Sequence, residues 1–165
     1  MKIGIISDTH DDIACTKVAI EIFKKQKVNF VIHLGDYVSP PIVRLFKGVK
    51  LIGIFGNNDG YKFVLAKAFN EIGGEMKGDF GIIELDNLKI ALYHGEFSEI
   101  SEALAKSGDY DAVFTGHWHK SSIKKIGKTL WISMGSAKKE FAENNKPAVG
   151  IFETKTREAE LIFIR

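Results

Sequence analysis

The sequence predicts an α/β protein in which two facing β-sheets carry helices on their outer sides. In the first half, short apolar runs alternate with helical patterns, as in strand–helix–strand units with a largely parallel sheet. A hairpin pattern follows in the middle, and the last third is again rich in strand patterns. Because both kinds of unit occur in only 165 residues, we expect one domain, residues 1–165, with two packed sheets.

Three strands are predicted in the first half, each followed by a helix. Continuous apolar runs at residues 2–7, 29–34 and 49–55 predict the strands. Asp11 and Asp12 can cap the first helix, and Pro40-Pro41 opens the second, which is short. The apolar spacing predicts the buried face of the first helix as Cys15, Val18, Ala19, Ile22 and Phe23. The same spacing predicts that of the third, which ends at Gly73-Gly74, as Tyr61, Val64, Leu65, Ala68 and Ile72.

The second half begins with a predicted hairpin. The stretches FGIIEL and LKIALYH flank Asp86-Asn87, a two-residue turn. A helix closed by Gly108 follows, with Ile100, Ala103 and Leu104 expected on its inner face, and residues 111–115 predict a buried strand. The remaining strands are predicted around SIKKI, TLWISM, AVGIFE and AELIFI.

Composition limits the classes of function. Lysine and arginine number 23 against 21 acidic residues, a net charge of +2, which does not indicate a nucleic-acid-binding surface. The single cysteine, Cys15, cannot form an internal disulfide, and we expect it to be a buried structural thiol. The first apolar run, Ile3 to Ile6, is too short for a signal peptide or a membrane span. These features predict a cytoplasmic protein without membrane contact.

Polar clusters follow the predicted strands at the point where each strand ends. These clusters are Ser7-Asp8-Thr9-His10, Gly35-Asp36, Gly56-Asn57-Asn58-Asp59, His94-Gly95 and Gly116-His117-Trp118-His119. Because ligands of α/β sheets bind outside the carboxyl ends of the strands, we expect the five clusters to meet at one edge. Four of the five histidines lie in them, whereas His33 lies within a strand and is expected to be a core histidine.

The residue types in these clusters indicate a metal site. Carboxylates, imidazoles and an amide without a thiolate suit manganese, iron, zinc or nickel. The candidate ligands exceed what one ion needs, and they fit two ions that share a carboxylate, as used for in-line displacement at phosphorus. The candidates are Asp8, His10, Asp36, Asn57, His94, His117 and His119. The pairs spaced two apart, Asp8 with His10 and His117 with His119, can face one way if their backbone is extended.

The motifs D-x-H, G-D, G-N-x-D, H-G and G-H-x-H occur in this order over nearly the whole chain. In this respect the chain resembles the calcineurin-like metallophosphoesterases, and most closely their minimal single-domain bacterial and archaeal phosphodiesterase branch. The resemblance implies a four-layer αββα sandwich of two mixed sheets. It also implies that a hydroxide shared by two metals is the nucleophile. It assigns Asp8, His10 and His119 to one metal, Asn57, His94 and His117 to the second, and Asp36 to both.

Two residues of the G-N-N-D stretch are expected to assist catalysis together with Asp36. Asn58 stands where many members of the family carry a histidine that helps the leaving group depart. An amide can polarise an oxygen but cannot donate a proton outright, and a positioned general acid is typically worth ~10²- to 10⁴-fold. Asp59 is expected to orient the neighbouring groups rather than to bind a metal.

Trp118 lies between two of the predicted ligands and has two interpretations. If His117 and His119 point into the site, strand alternation turns Trp118 away from it, which favours packing or a subunit contact. The alternative is a platform for an aryl or base group of the substrate.

The sequence therefore predicts a phosphodiesterase that uses two divalent ions, manganese first, with nickel, iron or zinc as alternatives. The expected substrate is a small phosphoester rather than a nucleic acid polymer. Edge strands and the apolar run Leu161 to Ile164 allow a homodimer. A phosphomonoesterase for activated leaving groups is the nearest alternative. The other is a non-catalytic interaction module of the same fold, although such modules have lost ligands that this chain retains.

Overall fold

The structure, a computed structural model, describes residues 1–164, which form two β-sheets packed face to face. The first sheet has six strands in the order β11-β10-β1-β2-β3-β4. Its strands are β1 (Lys2–Ile6), β2 (Phe30–His33), β3 (Leu51–Gly53), β4 (Glu75–Met76), β10 (Ala148–Glu153) and β11 (Glu158–Phe163). The strands β1 to β4 run parallel, whereas β10 is antiparallel to β1 and β11 to β10.

The second sheet has five strands in the order β5-β6-β7-β9-β8. Its strands are β5 (Phe80–Leu85), β6 (Leu88–Tyr93), β7 (Ala112–Thr115), β8 (Ser122–Ile126) and β9 (Thr129–Ser133). The predicted hairpin is present, since β5 pairs antiparallel with β6 across Asp86-Asn87. The central strands β6, β7 and β9 run parallel, and β8 returns antiparallel to β9. Both sheets are therefore mixed, as the sequence predicts.

Helices cover the outer face of each sheet. The first sheet carries α1 (Ile13–Gln26), α2 (Pro40–Leu45) and α3 (Lys62–Glu71), and α4 (Ser98–Lys106) packs on β7 and β9 of the second. Strand β1 shows how two cores arise, because its side chains alternate. Ile6 packs with Phe23 under the helices, whereas Ile3 and Ile5 pack against Ile90 and Phe114 of the other sheet. The four-layer αββα arrangement is confirmed.

Several predicted helix faces are wrong in detail. On α4 the side chains that face the sheet are the small Ser101 and Ala105, whereas Ile100 is 46% exposed. Small side chains let α4 lie close to the sheet. The apolar spacing of 3.6 residues identifies the face with large apolar side chains, and on α4 that is not the face that contacts the sheet. Val18 of α1 and Val64 of α3 are likewise exposed, while Ile20 and Phe69 are buried in their place.

Two further features differ from or complete the sequence analysis. The third strand spans only Leu51–Gly53, and the short β4 beside it was not predicted. Cys15 is half-buried against the helix-side core, and burial raises the pKa of its thiol. Among residues 1–164, none of the helices combines the length and the apolar character that crossing a membrane requires.

Candidate metal centre

All five polar clusters lie at one edge of the two sheets. Strands β1, β2 and β3 of the first sheet end there, as do the parallel strands β6 and β7 of the second. The structure brings together all seven residues that the sequence singles out as ligands: Asp8, His10, Asp36, Asn57, His94, His117 and His119. Two groups of nitrogen and oxygen atoms can be distinguished within this cluster.

The first group consists of Asp8, His10 and His119. The Nε2 atoms of His10 and His119 are 3.3 Å apart, and Asp8 Oδ1 lies 3.3 Å from His119 Nε2. Asp8 Oδ1 is 3.7 Å from His10 Nε2. One ligand atom from each residue therefore lies within 4.8 Å of the other two, close enough to surround one ion.

The second group consists of Asn57, His94 and His117. Asn57 Oδ1 is 3.1 Å from His94 Nε2 and 2.8 Å from His117 Nδ1. Asp36 lies between the groups, because its Oδ2 is 3.4 Å from His94 Nε2 and also 3.4 Å from His10 Nε2. One carboxylate oxygen thus reaches an imidazole of each group.

The cluster has the chemistry of a divalent metal site. Asp8 is fully buried, and among the described residues its Oδ1 has no hydrogen-bond partner, although an unpaired buried carboxylate oxygen is costly. The Nε2 atoms of His10 and His119 lie 3.3 Å apart beside it, so two imidazole nitrogens and a carboxylate oxygen converge on the same space. Oxygen and nitrogen ligands without sulfur suit divalent ions of hard to borderline character. The residues therefore fit two such ions.

The charges of the carboxylates match this chemistry. Burial opposes ionisation of Asp8, but the imidazoles of His10 and His119 outweigh it and hold the pKa of Asp8 far below its usual value. Burial also opposes ionisation of Asp36, but His94 and Asn58 keep its pKa low. Burial lowers the pKa of His94, whereas Asp36 and Asp8 raise it more strongly, to about 9. An ion that bound at His94 would therefore have to displace a proton.

The backbone of the ligand turns is held by Asp59 and Asn58. The buried carboxylate of Asp59 accepts hydrogen bonds from the backbone N–H groups of Asp36 (2.8 Å), Val38 (2.9 Å) and Gly56 (2.7 Å). Asn58 donates to Asp36 twice, from its backbone N to Oδ1 at 2.8 Å and from Nδ2 to Oδ2 at 2.7 Å. Asp59 thus has the geometry of an orienting residue, and it contacts backbone rather than the ligand atoms.

Three further contacts fix individual ligands. His94 Nδ1 donates to Leu34 O at 2.6 Å, which turns Nε2 toward the cluster. The backbone N–H of His117 donates to Asp8 Oδ2 at 3.0 Å, so Asp8 uses one oxygen for the turn and keeps the other for the cluster. Ser136 Oγ donates to Asp8 O at 2.7 Å from the loop after β9.

The expectation of extended backbone at the paired ligands is wrong. Positive φ angles occur at Asp8 (54°), His10 (40°), His117 (70°) and His119 (56°). The ligands follow the strands in tight left-handed turns, and such strain, about 1–3 kcal/mol per residue, is typical of functional sites. The side chains converge because the turns are pinned by hydrogen bonds, and strand alternation plays no part.

His33 is a core histidine, as the sequence predicts. It is fully buried in β2, its Nδ1 accepts from the Gly35 N–H at 3.2 Å, and its Nε2 lies 3.1 Å from Thr9 Oγ1. Burial lowers the pKa of His33 to about 3, so the ring is neutral. It stacks beside Tyr37 and takes no part in the cluster.

Phe141 and Lys138 adjoin the first group, and neither is among the site residues predicted from the sequence. The ring of Phe141 stacks on His119, with centroids 5.4 Å apart and planes 3° from parallel, and it meets His10 edge-on at 4.8 Å. Lys138 Nζ lies 4.6 Å from the centre of the Phe141 ring and donates to His10 O at 3.3 Å. Both residues belong to the irregular stretch between β9 and β10, where no helix or strand pattern could place them in advance.

Trp118 does not face away into packing. Its side chain is 56% exposed, and its ring meets the His117 ring edge-on with centroids 5.1 Å apart. The indole Nε1 donates to Gly95 O at 3.0 Å. Strand alternation does not apply to Trp118, because the two histidines that flank it have left-handed backbone.

Comparison with known proteins places this architecture in a family. The family model described as the calcineurin-like phosphoesterase superfamily domain matches residues 1–157. The chain therefore belongs to the calcineurin-like phosphoesterase superfamily. Phosphodiesterase MJ0936 of Methanocaldococcus jannaschii is 37% identical over 161 residues, which are 96% of each chain.

Solved structures agree with this assignment. The structure described as a novel archaeal phosphodiesterase superposes with a TM-score of 0.91 at 35% identity and covers 99% of both chains. Yfce, a phosphoesterase from E. coli, covers both chains fully with a TM-score of 0.73. At 16% identity, the second comparison shows the shared fold alone.

Proposed function

We propose that this protein is a metal-dependent phosphodiesterase whose site holds two divalent ions. The observation that carries the proposal is the position of Asp36, whose Oδ2 lies 3.4 Å from an imidazole nitrogen of each ligand group. A single oxygen between two sets of ligands is what two ions with a shared carboxylate require. The relative named a phosphodiesterase, similar over 96% of both chains, supports the choice of reaction.

Each side chain then has a defined part. Asp8, His10 and His119 would hold one ion, Asn57, His94 and His117 would hold the other, and Asp36 would contribute to both sites. When bound, the ions polarise the phosphoryl group and activate water for attack in line with the leaving group. Manganese is the proposed metal, with nickel, iron or zinc as alternatives that the same ligands accept.

Asn58 and Asp59 assist without binding metal. Asp59 keeps the turns that carry Asp36 and Asn57 together through its three backbone contacts. Asn58 holds both oxygens of Asp36, and as a neutral amide it cannot protonate a leaving group. The site therefore favours esters with leaving groups that are stable as anions, and the proposed substrate is a small phosphodiester.

The test compares a phosphodiester and a phosphomonoester with the same nitrophenyl leaving group on metal-stripped protein reloaded with manganese. We expect faster hydrolysis of the diester and no hydrolysis in excess chelator. Faster hydrolysis of the monoester would favour the phosphomonoesterase alternative. Failure to bind any metal would favour a non-catalytic interaction module.

Asp36→Asn and Asp86→Asn form a matched pair for this test. Asp86 lies in the β5–β6 turn at the opposite end of the second sheet, so its replacement should leave activity unchanged. Loss of the shared charge in Asp36→Asn should abolish activity and weaken binding of both ions. Equal activity in the two variants would reject the role of Asp36.

We also propose a cytoplasmic location. The proposal further includes a homodimer, because β11 and β5 are edge strands with exposed Phe163 and Phe80. Light scattering over a range of concentrations tests the homodimer, and cell fractionation tests the location. A constant monomer mass would remove the dimer from the proposal without affecting the proposed activity.

A further inference from the structure

Trp118 is an exposed aromatic side chain that is nevertheless fixed in place. More than half of it, 56%, is accessible. Its polar atom is already satisfied, because Nε1 donates to Gly95 O, and its ring is nearly perpendicular to the His117 ring, with centroids 5.1 Å apart. With Nε1 bonded, the part of the indole that remains accessible is largely carbon, and these two contacts set its orientation before any ligand arrives. A fixed aromatic face of this kind binds another ring with little loss of side-chain entropy.

The position of Trp118 relates this face to the second ligand group. Gly95 follows His94, and His117 precedes Trp118, so both contacts of the indole are made to the turns that carry His94 and His117. The group formed by Asn57, His94 and His117 therefore has an aromatic wall at its side. A phosphodiester held at the centre extends one substituent beyond each side of the phosphorus.

We propose that Trp118 is a specificity-determining residue that stacks on a planar aromatic substituent, aryl or nucleobase, of the phosphodiester substrate. The inference rests on the proposed phosphodiesterase activity and names the class of substituent that the site selects. An alkyl substituent can contact the same face but cannot stack on it. Base–aromatic stacking is worth roughly 1–3 kcal/mol per ring by alanine substitution, which corresponds to about 5- to 150-fold in kcat/KM.

The experiment uses three diesters that share a 4-nitrophenyl leaving group and differ in the other substituent. These are the methyl, the phenyl and the thymidine 5′ esters. The nitrophenyl ring is common to all three esters, so any contact that it makes with Trp118 cancels in the ratio of kcat/KM values, which reports the retained substituent. We expect wild-type protein to prefer the phenyl and thymidine esters over the methyl ester. Whichever of the two is preferred more strongly identifies the aromatic group as aryl or nucleobase.

Trp118→Ala should lower kcat/KM for the phenyl and thymidine esters about 5- to 150-fold relative to the methyl ester. Trp118→Phe should restore most of the loss, because a smaller ring still offers a stacking face. Tyr110→Ala is the matched control: it removes an aromatic side chain just before β7, at the opposite end of the sheet, and should change no ratio.

A binding measurement separates substrate recognition from catalysis. Phenylphosphonate and methylphosphonate, which are not hydrolysed, are titrated calorimetrically into the metal-loaded protein. We expect wild-type protein to bind the phenyl compound more tightly and Trp118→Ala to lose that difference. The molar masses of wild type and Trp118→Ala are also measured by light scattering. If Trp118 formed a subunit contact, its replacement would change the oligomeric state.

The outcomes distinguish this inference from the proposed activity. If wild-type protein hydrolyses all three esters at equal rates and Trp118→Ala changes them equally, the stacking role is wrong while the activity stands. A change of oligomeric state in Trp118→Ala with unchanged ester ratios would also overturn it, in favour of a subunit contact. If no ester is hydrolysed by metal-loaded protein, the proposed activity itself fails.

Discussion

Asn57 and Asn58 are chemically identical neighbours that hold different parts of the centre. Asn57 offers its Oδ1 to the group with His94 and His117. Asn58 turns the other way and donates its Nδ2 to Asp36 Oδ2, with its backbone N–H bonding Asp36 Oδ1. Turn propensity accounts for two asparagines in G-N-N-D, but only the separate contacts account for their different roles.

Replacing the two asparagines should therefore have different effects on metal content. Asn57→Ala should lower the metal content from two ions per chain toward one and suppress hydrolysis of every substrate. Asn58→Ala should retain two ions, since its backbone N–H still bonds Asp36. Elemental analysis of both variants checks this. Loss of metal from Asn58→Ala alone would mean that the assignment across G-N-N-D is wrong by one residue.

Asn58→His tests the missing proton donor. An imidazolium beside the leaving oxygen should increase kcat/KM for an alkyl phosphoester much more than for a nitrophenyl ester, whose leaving group needs little protonation. The measurement is the ratio of the two constants in wild type and variant, with a structure of the variant to show that the imidazole reaches the site. Equal effects on both esters from a correctly placed ring would refute the missing-acid account.

Phe141 is expected to orient ligands of the first group. Among the described residues, no hydrogen bond is made by Nδ1 of His10 or His119, in contrast to His94, whose Nδ1 bonds Leu34 O. Phe141 packs on both unanchored rings. Residues that orient metal ligands typically contribute about 10- to 100-fold to metal affinity. Phe141→Ala should therefore lower the affinity for the ion of the first group by that factor.

The measurement for Phe141 is a competitive titration of each variant against a chelating dye. Phe141→Tyr is the control, because it keeps the ring and should keep wild-type affinity for both ions. An equal loss of affinity for both ions in Phe141→Ala would indicate a general loss of structure. Unchanged affinity would show that the stacking is incidental.

The turns after β3 and β7 explain why a glycine stands directly before the predicted ligands Asn57 and His117. A Cβ atom on Gly116 would lie 2.0 Å from Ser7 Oγ and 2.8 Å from Asp8 Oδ2. One on Gly56 would lie 2.3 Å from Asp36 Oδ1. The backbone of each turn approaches a carboxylate of its neighbour so closely that no side chain fits between them.

Strand β2 gives the folded protein a measurable dependence on pH through His33. Its pKa, about 3 in the fold against 6.5 in the unfolded chain, means that only the unfolded state binds a proton between these values. Stability is therefore complete above pH 6.5 and falls as the pH is lowered toward 3. The loss from His33 should be about 2 kcal/mol between pH 7 and pH 5.

Urea denaturation of metal-stripped wild type and His33→Gln at pH 7 and pH 5 checks this prediction. Wild type should lose more stability than the variant, which cannot take up the proton, although the variant starts from a lower value because it fits the buried site less well. A pH dependence that is identical in both proteins would mean that His33 is charged in the fold or that acid opens β2 locally.

The elements of the site could be predicted from sequence to different degrees. Apolar runs that end in polar residues identify Asp8, Asp36 and His94, because a buried apolar strand ends where charged or polar side chains begin. The left-handed turns could not be predicted, since they depend on contacts between distant loops, such as that of the His117 N–H with Asp8. Phe141 was missed because its stretch has no periodic pattern, and its neighbours come from β1 and β7.

The architecture of the whole molecule makes the metal centre a junction between the two sheets. In the first group, Asp8 and His10 follow β1 of one sheet, while His119 follows β7 of the other. In the second, Asn57 follows β3, while His94 and His117 follow β6 and β7. Ions at these positions would connect the sheets, so removing them should lower the melting temperature. A free-ion concentration of 100 times the dissociation constant adds ~2.7 kcal/mol per ion to the free energy of unfolding.

A titration of manganese into metal-stripped protein, with phosphodiester hydrolysis followed at each addition, tests the two-ion site most directly. Because Asp36 lies between the two ligand groups, the proposed mechanism requires both ions for the reaction. Activity should stay near zero through the first equivalent when binding is sequential, rise with the second, and reach its plateau at two ions per chain. Full activity in excess chelator, or a plateau at one ion per chain, would contradict the two-metal account.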